Sequence, residues 1–337
     1  MNNKTLKIIF FILLFVLIVE LSTVLAATQF LGRIKHAAAD ETIPPEDEYF
    51  ITDFTQAPTE AEEATTEQQE DIDWGIIEPM MDDNLINILL VGQDRRDGQE
   101  RQRSDSMIVC SVNTETKEVS LISFLRDLYV QIPGYSNNRL NAAYAFGGFP
   151  LLTETLKTNF GIVIDGCFEV DFTGFVALID QLDGVDIELT ASEAKIVGGN
   201  TAEGNNHLNG KQALTYSRIR KIDDDFQRTN RQRKVLFAAY EKVKTCSSTE
   251  MLFAVNSALP YLTTDLSNSQ ILALAWNLYP LISEVEINSY QVPSEGTYTD
   301  RVISGMAVLV PNLEAIQKVL VDEYLPLSEK GEKSGGE

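Results

Sequence analysis

Five arginines sit beside carboxylates or beside each other in short, punctuated segments: Arg103-Ser104-Asp105, Arg126-Asp127, and Arg218-Ile219-Arg220 followed by Asp225-Phe226-Gln227-Arg228. A guanidinium presents a planar fork of N–H donors that matches phosphate oxygens two at a time. In an extended segment side chains alternate faces, so Arg218 and Arg220 would point the same way and together grip one diphosphate. Residues 227–244 carry the spacing of a helix with Asp225 near its N-cap. That places Arg228 in the first turn and Gln232 on the same face four residues later. The amides of a helix N-terminus add further donors for an anion.

Two aspartates complete the chemistry. Asp94 follows the first predicted strand and Asp105 precedes the second, so neighbouring strand ends would bring their carboxylates together. Oxygen ligands suit Mg²⁺, with Mn²⁺ as the alternative, because Mg²⁺ takes one or two carboxylates plus phosphate oxygens and water. Attack on phosphorus becomes feasible when cations spread the charge of the transition state. A single Arg-Asp neighbour is more often an exposed ion pair worth about 0–1 kcal/mol. Several of them, each at the boundary of an apolar strand or helix, form a pattern that stability does not require. Residue type and spacing therefore lead to a metal-assisted, phosphate-handling site, and they do not name the substrate.

The elements that must position these residues are legible in outline. The run Ile86-Asn87-Ile88-Leu89-Leu90-Val91-Gly92 reads as a buried strand closed by glycine. Residues 106–113 and 118–124 read as a hairpin across Thr114-Glu115-Thr116-Lys117, and 167–170 and 185–189 as two further strands. Helical spacing covers 140–146, 151–159, 172–181, 210–216, 227–244, 269–283 and 312–324. This mixture predicts an α/β (α+β) layered sandwich with a central mixed β-sheet flanked by helices. The apolar stretches 146–156 and 168–182 read first as core. A prenyl-chain tunnel would need the same lining and would exclude water, favouring transfer to a hydroxyl over hydrolysis.

Outside that domain, Lys4 and Lys7 precede an apolar run from Ile8 to Val19 that continues through small and apolar residues to Ala27. Counted so, it has about the twenty residues that cross a bilayer, with the lysines inside. A cleaved signal peptide is the alternative, and either one exports the domain. The expected organisation is a short tail and transmembrane helix over 1–35, an acidic spacer over 36–84, the folded domain over 85–326 and a polar tail over 327–337. Residues 40–83 hold sixteen Asp or Glu and no Lys or Arg. A tract so charged would repel itself, extend, and lift the domain off the membrane. Of the formal charge of -23, only -7 remains outside it, which argues against a nucleic-acid partner. Cys110, Cys167 and Cys246 are odd in number and lack a CxxC pair, so neither a disulfide framework nor a zinc cluster is expected. With His36 placed outside the folded domain, a Ser-His-Asp or Cys-His mechanism would rest on His207 alone.

Several segments recur in a fixed order over residues 85–325. They are 87–94 ending in Gln93-Asp94, Arg103-Ser104-Asp105, 119–127 ending in Phe124-Leu125-Arg126-Asp127, Ile132-Pro133-Gly134 and 140–148. After them come Val170-Asp171-Phe172, 208–214, Tyr216-Ser217-Arg218-Ile219-Arg220-Lys221, and Asp225-Phe226-Gln227-Arg228 with Arg231-Gln232. In these the chain resembles the LytR-CpsA-Psr family of cell-wall glycopolymer ligases. The resemblance implies a single-pass membrane phosphotransferase whose extracytoplasmic catalytic domain holds a polyprenyl diphosphate in a hydrophobic tunnel. It implies transfer of teichoic acid, capsular polysaccharide or a similar glycopolymer to peptidoglycan, at the 6-hydroxyl of N-acetylmuramic acid. By motif position Asp94 and Asp105 would hold Mg²⁺, and Arg126, Arg218, Arg220 and Arg228 the diphosphate. Arg103, Asp127, Asp225 and Gln232 would complete the site, and Asp94 and Asp127 are the candidates for a catalytic base. The chain departs from the family pattern at Gln93, at Phe124-Leu125 and at Gln227. The last of these bears on the turn that aims Arg228. Rival accounts are a hydrolase of the same lipid diphosphate and a non-catalytic wall-binding or regulatory protein.

Overall fold

The apolar strand read from residues 86–92 forms the middle of a seven-stranded mixed sheet in the computed structural model, which describes residues 31–37, 72–93, 102–245, 257, 259–278 and 286–328. The expected membrane run 8–27, most of the acidic tract, Asp94, Cys246 and the tail beyond Ser328 lie outside the described residues. The sheet runs β1 (Lys35–His36), β10 (Leu262–Thr264), β7 (Gly166–Asp171), β2 (Leu85–Gln93), β3 (Ser104–Asn113), β4 (Glu118–Phe124) and β11 (Glu286–Val292). The pairs β1–β10, β7–β2 and β4–β11 are parallel, and the others antiparallel. Three small two-stranded pairs stand apart: β5 (Tyr129–Val130) with β6 (Asn138–Arg139), β8 (Val185–Leu189) with β9 (Gly204–Leu208), and β12 (Tyr298–Ile303) with β13 (Met306–Pro311). The β3–β4 hairpin forms where expected because Asn113 Oδ1 accepts the amides of Glu115 and Thr116 and so closes the turn.

Alternation along the strands sends side chains to two different layers. Leu89, Val91, Met107, Val109, Ile122 and Phe124 belong to the main core, which is closed by α1 (Leu140–Phe160) and α7 (Leu313–Val319). Helix α1 is interrupted at Gly147 and Gly148, whose dihedrals are not helical, so the two predicted helices are both present, separated by that kink. Phe146, Phe149, Leu152 and Leu156 are buried in this core. The opposite face of the sheet looks toward α2 (Phe172–Gln181), α3 (Ala191–Val197), α4 (Gly210–Ser217) and α5 (Asp225–Thr245). Helix α6 (Asn268–Leu278) follows β10.

Local sequence sets the starts of these helices. Asp171 caps α2 by accepting the Gly174 amide at 2.7 Å. Asn209 and Gln212 form a reciprocal capping box on α4, so the segment 208–214 is a helix start rather than a ligand loop. Gly210 lets α4 lie directly on α2. A Cβ there would stand 2.3 Å from the Val176 carbonyl oxygen, and the Gly210 amide donates to Asp180 at 2.7 Å. Asp224, not Asp225, caps α5, accepting from the Gln227 amide at 2.9 Å.

Two expectations about the flanks are corrected. His36 is part of the sheet: it pairs with Thr264, and its ring nitrogens lie 2.8 Å from the Leu266 carbonyl and 3.1 Å from Asn268 Oδ1. The described residues at the far end of the predicted spacer also pack on the domain, with Trp74, Ile77 and Met80 against the main core. Apolar side chains at both ends of an otherwise acidic stretch explain the attachment.

Candidate active site

Asp105 owes its position to an irregularity in the sheet. Gly92 pairs with Ser106 and Gln93 with Ser104, so Asp105 is an extra residue with no partner on β2. Such a bulge bends its strand and re-aims a side chain. The Asp105 carboxylate accepts from Arg126 Nη1 at 3.0 Å and Arg220 Nη2 at 3.3 Å, while its carbonyl accepts from Arg228 Nη2 at 3.4 Å. Three arginines from separate parts of the chain thus meet at one aspartate.

The rest of the cluster interlocks. Arg228 pairs with Asp225 at 2.8 Å. Arg126 Nε lies 3.6 Å from Asp127 and 3.8 Å from Asp225. Asp127 also faces Arg139 at 3.4 Å, and Arg139 is itself held by the Ala307 carbonyl. Arg218 places its guanidinium 4.1 Å from the centre of the Phe172 ring, a cation–π contact. Gln232 lines the same cavity one turn beyond Arg228, and Arg103 stands immediately before β3, two residues from Asp105.

The Arg-x-Arg segment converges by a different route from the one expected. Arg218 is the C-cap of α4, with φ -106° and ψ 3°, so the segment is a helix exit and not a strand. Both arginines still line one cavity because the Ile219 between them is buried and its carbonyl accepts from Arg231 at 3.1 Å. Arg231 is buried and donates to Glu193 at 2.8 Å and to both oxygens of Asp223. Burial pushes the Glu193 carboxyl up, but hydrogen bonds from Arg231 and Thr190 outweigh it and hold the group below its ordinary value. Arg139, Glu193 and Asp223 were missed in the sequence. Only Glu193 had a local signal, the Thr-x-x-Glu capping box of α3.

Behind the charged cluster opens a cavity of about 950 Å³ between the sheet and helices α2, α4 and α5. Leu90, Ile108, Phe168, Phe175, Leu178 and Leu236 line it. Of the two apolar stretches singled out in the sequence, 168–182 therefore lines a channel and 146–156 fills the core. The size falls within the range of small-molecule sites.

Charge at the mouth is incompletely satisfied. Arg228 is 1% exposed, yet its Nε and Nη1 are buried without a hydrogen-bond acceptor, as is Arg126 Nε. Burial draws the Arg228 pKa down to about 10, with Asp225 opposing, so it remains a cation at neutral pH. Burial likewise raises the Asp225 carboxyl, while Arg228 and Arg126 pull it back. Leaving a charged donor unmet costs more than the roughly 1–3 kcal/mol of a neutral one. An anion at this point would relieve that cost.

The donor chemistry also fits Mg²⁺. The side chains here that could ligate a metal are carboxylates, and among the described residues no group of three or more His, Cys, Asp or Glu forms a metal cage. Mg²⁺ held by one or two carboxylates and phosphate oxygens needs none. His207 does not line the cavity and pairs instead with Asp186 at 2.8 Å. Cys110 and Cys167 are free thiols, and burial pushes both pKa values up, Cys110 to about 11.

The LytR_cpsA_psr family model matches residues 49–322. This chain belongs to the LytR-CpsA-Psr family. It is 34% identical over 226 residues to the regulatory protein MsrR of Staphylococcus aureus (strain COL), covering 66% of this chain and 68% of that protein. It is also 34% identical over 219 residues to the polyisoprenyl-teichoic acid–peptidoglycan teichoic acid transferase TagU of Bacillus mycoides (strain KBAB4), covering 63% and 69% of the two chains. Among solved structures, TagT bound to LIIa-WTA superposes with a TM-score of 0.59 at 27% identity, covering 70% of this chain and 88% of that one.

Proposed function

We propose that this LytR-CpsA-Psr protein is an extracytoplasmic phosphotransferase that moves a glycopolymer from a polyprenyl diphosphate carrier to peptidoglycan, at the 6-hydroxyl of N-acetylmuramic acid. The observation that carries this reading is the nearly inaccessible Arg228, its Nε and Nη1 without an acceptor among the described residues, at the mouth of an apolar channel of about 950 Å³. An anion attached to a long apolar chain satisfies both halves at once. TagU is named for a polyisoprenyl-linked donor and a peptidoglycan acceptor, and TagT was solved with LIIa-WTA.

In this reading Arg126, Arg218, Arg220 and Arg228 hold the diphosphate, and Arg103, Asp225 and Gln232 order those arginines or the acceptor. The acceptor hydroxyl oxygen forms a bond to the sugar-linked phosphorus, and the bond from that phosphorus to the bridging oxygen breaks. Prenyl phosphate leaves with the electron pair. Asp94 and Asp127 are the candidates for taking the hydroxyl proton, Asp127 being held between Arg126 and Arg139. Mg²⁺ bound by Asp94 and Asp105 would supply additional charge neutralisation. The apolar walls exclude water, which favours the sugar hydroxyl as nucleophile. Residues 8–27 would anchor the chain in the cell membrane with the domain outside.

The test is reconstitution of the full chain with a lipid-linked donor and peptidoglycan. Wild type should attach polymer, and Asp105→Ala and Arg218→Ala should lose at least about 100-fold of that activity while remaining folded. Asp105→Ala acting as fast as wild type would remove the metal assignment. Release of polymer phosphate by wild type without any acceptor, and no attachment, would make the protein a hydrolase instead.

A further inference from the structure

A second cavity, of about 810 Å³, lies on the opposite flank of α5. Arg228, Gln232 and Leu236 face the first cavity, whereas Asn230, Arg233 and Phe237 face the second, as a 3.6-residue period requires. Its far wall is Leu121 of β4 and Ser289 of β11, with Glu188 of β8 at one side. Arg233 is 6% exposed. Its Nε donates to Ser289 Oγ at 2.7 Å, and its Nη1 is buried without an acceptor.

A buried cation without a carboxylate is costly, and proteins ordinarily pair it. Arg231, two residues earlier on the same helix, shows the ordinary solution: two carboxylates and a carbonyl consume its donors. Arg233 has no such pair among the described residues. Burial lowers its pKa to about 10, so the charge persists at neutral pH. Around it the wall is mixed in sign, with Lys234 and Lys242 against Asp186, Glu188 and Glu241. Phe237, 45% exposed, offers an apolar platform beside them.

We propose that this cavity docks a short peptide bearing a free carboxylate and an ammonium group, with Arg233 and Ser289 receiving the carboxylate and the acidic wall the ammonium. In identifying that peptide with the stem peptide of a peptidoglycan acceptor, the inference rests on the proposed function. Arg233 lies five residues beyond Arg228, about 7–8 Å along the helix axis. Because the two lie on opposite flanks of a helix about 10–12 Å across, a peptide joining the cavities must round it as well, which takes about five or six extended residues at about 3.3–3.6 Å each. A single helix would then hold the donor on one flank and the acceptor's peptide on the other.

The experiment uses the full chain in detergent micelles and calorimetric binding of two probes. One is a muramyl tripeptide ending in lysine with its carboxylates free, and the other is the same molecule amidated. Wild type should bind the free acid at least tenfold more tightly than the amide, and Arg233→Gln should erase that difference while binding geranylgeranyl diphosphate as wild type does. Equal binding of the two probes by wild type, or undiminished binding of the free acid by Arg233→Gln, overturns the proposal. Arg233→Met without probe provides a second readout. A Tm equal to or above wild type is expected of a charge kept for a ligand, and a fall of several degrees would make Arg233 structural and overturn the site. Failure of wild type to bind geranylgeranyl diphosphate would instead count against the donor reading, since the peptide comparison does not depend on it.

Discussion

Arg228 keeps a positive charge where water barely reaches it, and the fold bears the cost of two donors, Nε and Nη1, that no described residue accepts. Evolution tolerates such a cost where binding returns it. Arg228→Met should therefore lower transfer at least about 100-fold while the Tm stays level or rises, a pairing that thermal denaturation and a transfer assay check together. Asp225 gives a second prediction. Its pKa is higher in the folded protein than the ordinary 3.8, so the native state holds its proton to higher pH than the unfolded chain does. Stability from this group is thus lost as pH rises from about that value through the folded pKa. The Tm of wild type minus that of Asp225→Asn should shrink over the same window; a constant difference would contradict the burial of Asp225. At this scale the sequence was most informative, because Arg and Asp declare their chemistry by type. Two of the departures make contacts that only the structure reveals. The Gln227 amide donates to Asp224, which caps the helix carrying Arg228. Gln93 is buried and donates to the Gln102 carbonyl at 2.6 Å, tying the end of β2 to the residues just before β3.

Helix α4 shows how an element can carry function without touching substrate along most of its length. Its N-terminus is fixed by Asn209 and by the close approach of Gly210 to α2, and its C-terminus delivers Arg218. Gly210→Ala should destabilise the protein by about 1–3 kcal/mol through overpacking, measured by urea denaturation, and should weaken diphosphate binding as Arg218 shifts. Most helices were legible because their apolar spacing and caps are local, but the short α3 was missed despite its capping box. Strands β10 to β13 were not. β10 is only three residues long, and β11, Glu-Ile-Asn-Ser-Tyr-Gln-Val, is a polar-rich edge strand whose place is fixed by pairing with β4 far earlier in the chain. The bulge at Asp105 was equally invisible, since register between strands is a property of two segments and not of either alone.

Seen whole, the molecule is a sheet with two unlike sides, one closed by α1 over a dense core and the other open to a channel. That sidedness was readable in the two apolar stretches, but which stretch served which side was not, because periodicity alone does not tell a core wall from a channel wall. The short strand β1 matters most at this scale. Lys35 and His36 pair with Thr263 and Thr264, the Ala37 amide donates to the Thr264 carbonyl at 2.8 Å, and the chain rejoins the domain at residues 72–80. Deleting residues 42–68 should consequently leave transfer in membranes within about twofold of wild type, since shortening a connection between two attached segments costs little. A large loss would show that the acidic tract sets the height of the domain.

Under the proposed anchoring the leash is shorter than the sequence suggests. Were residues 8–27 in the bilayer, only 28–30 would separate lipid from Leu31, which is already buried against Leu259, at most about 11 Å of extended chain. An enzyme moored so closely would search a thin shell of the inner wall, and would meet carriers lying in the leaflet beneath it before anything farther out.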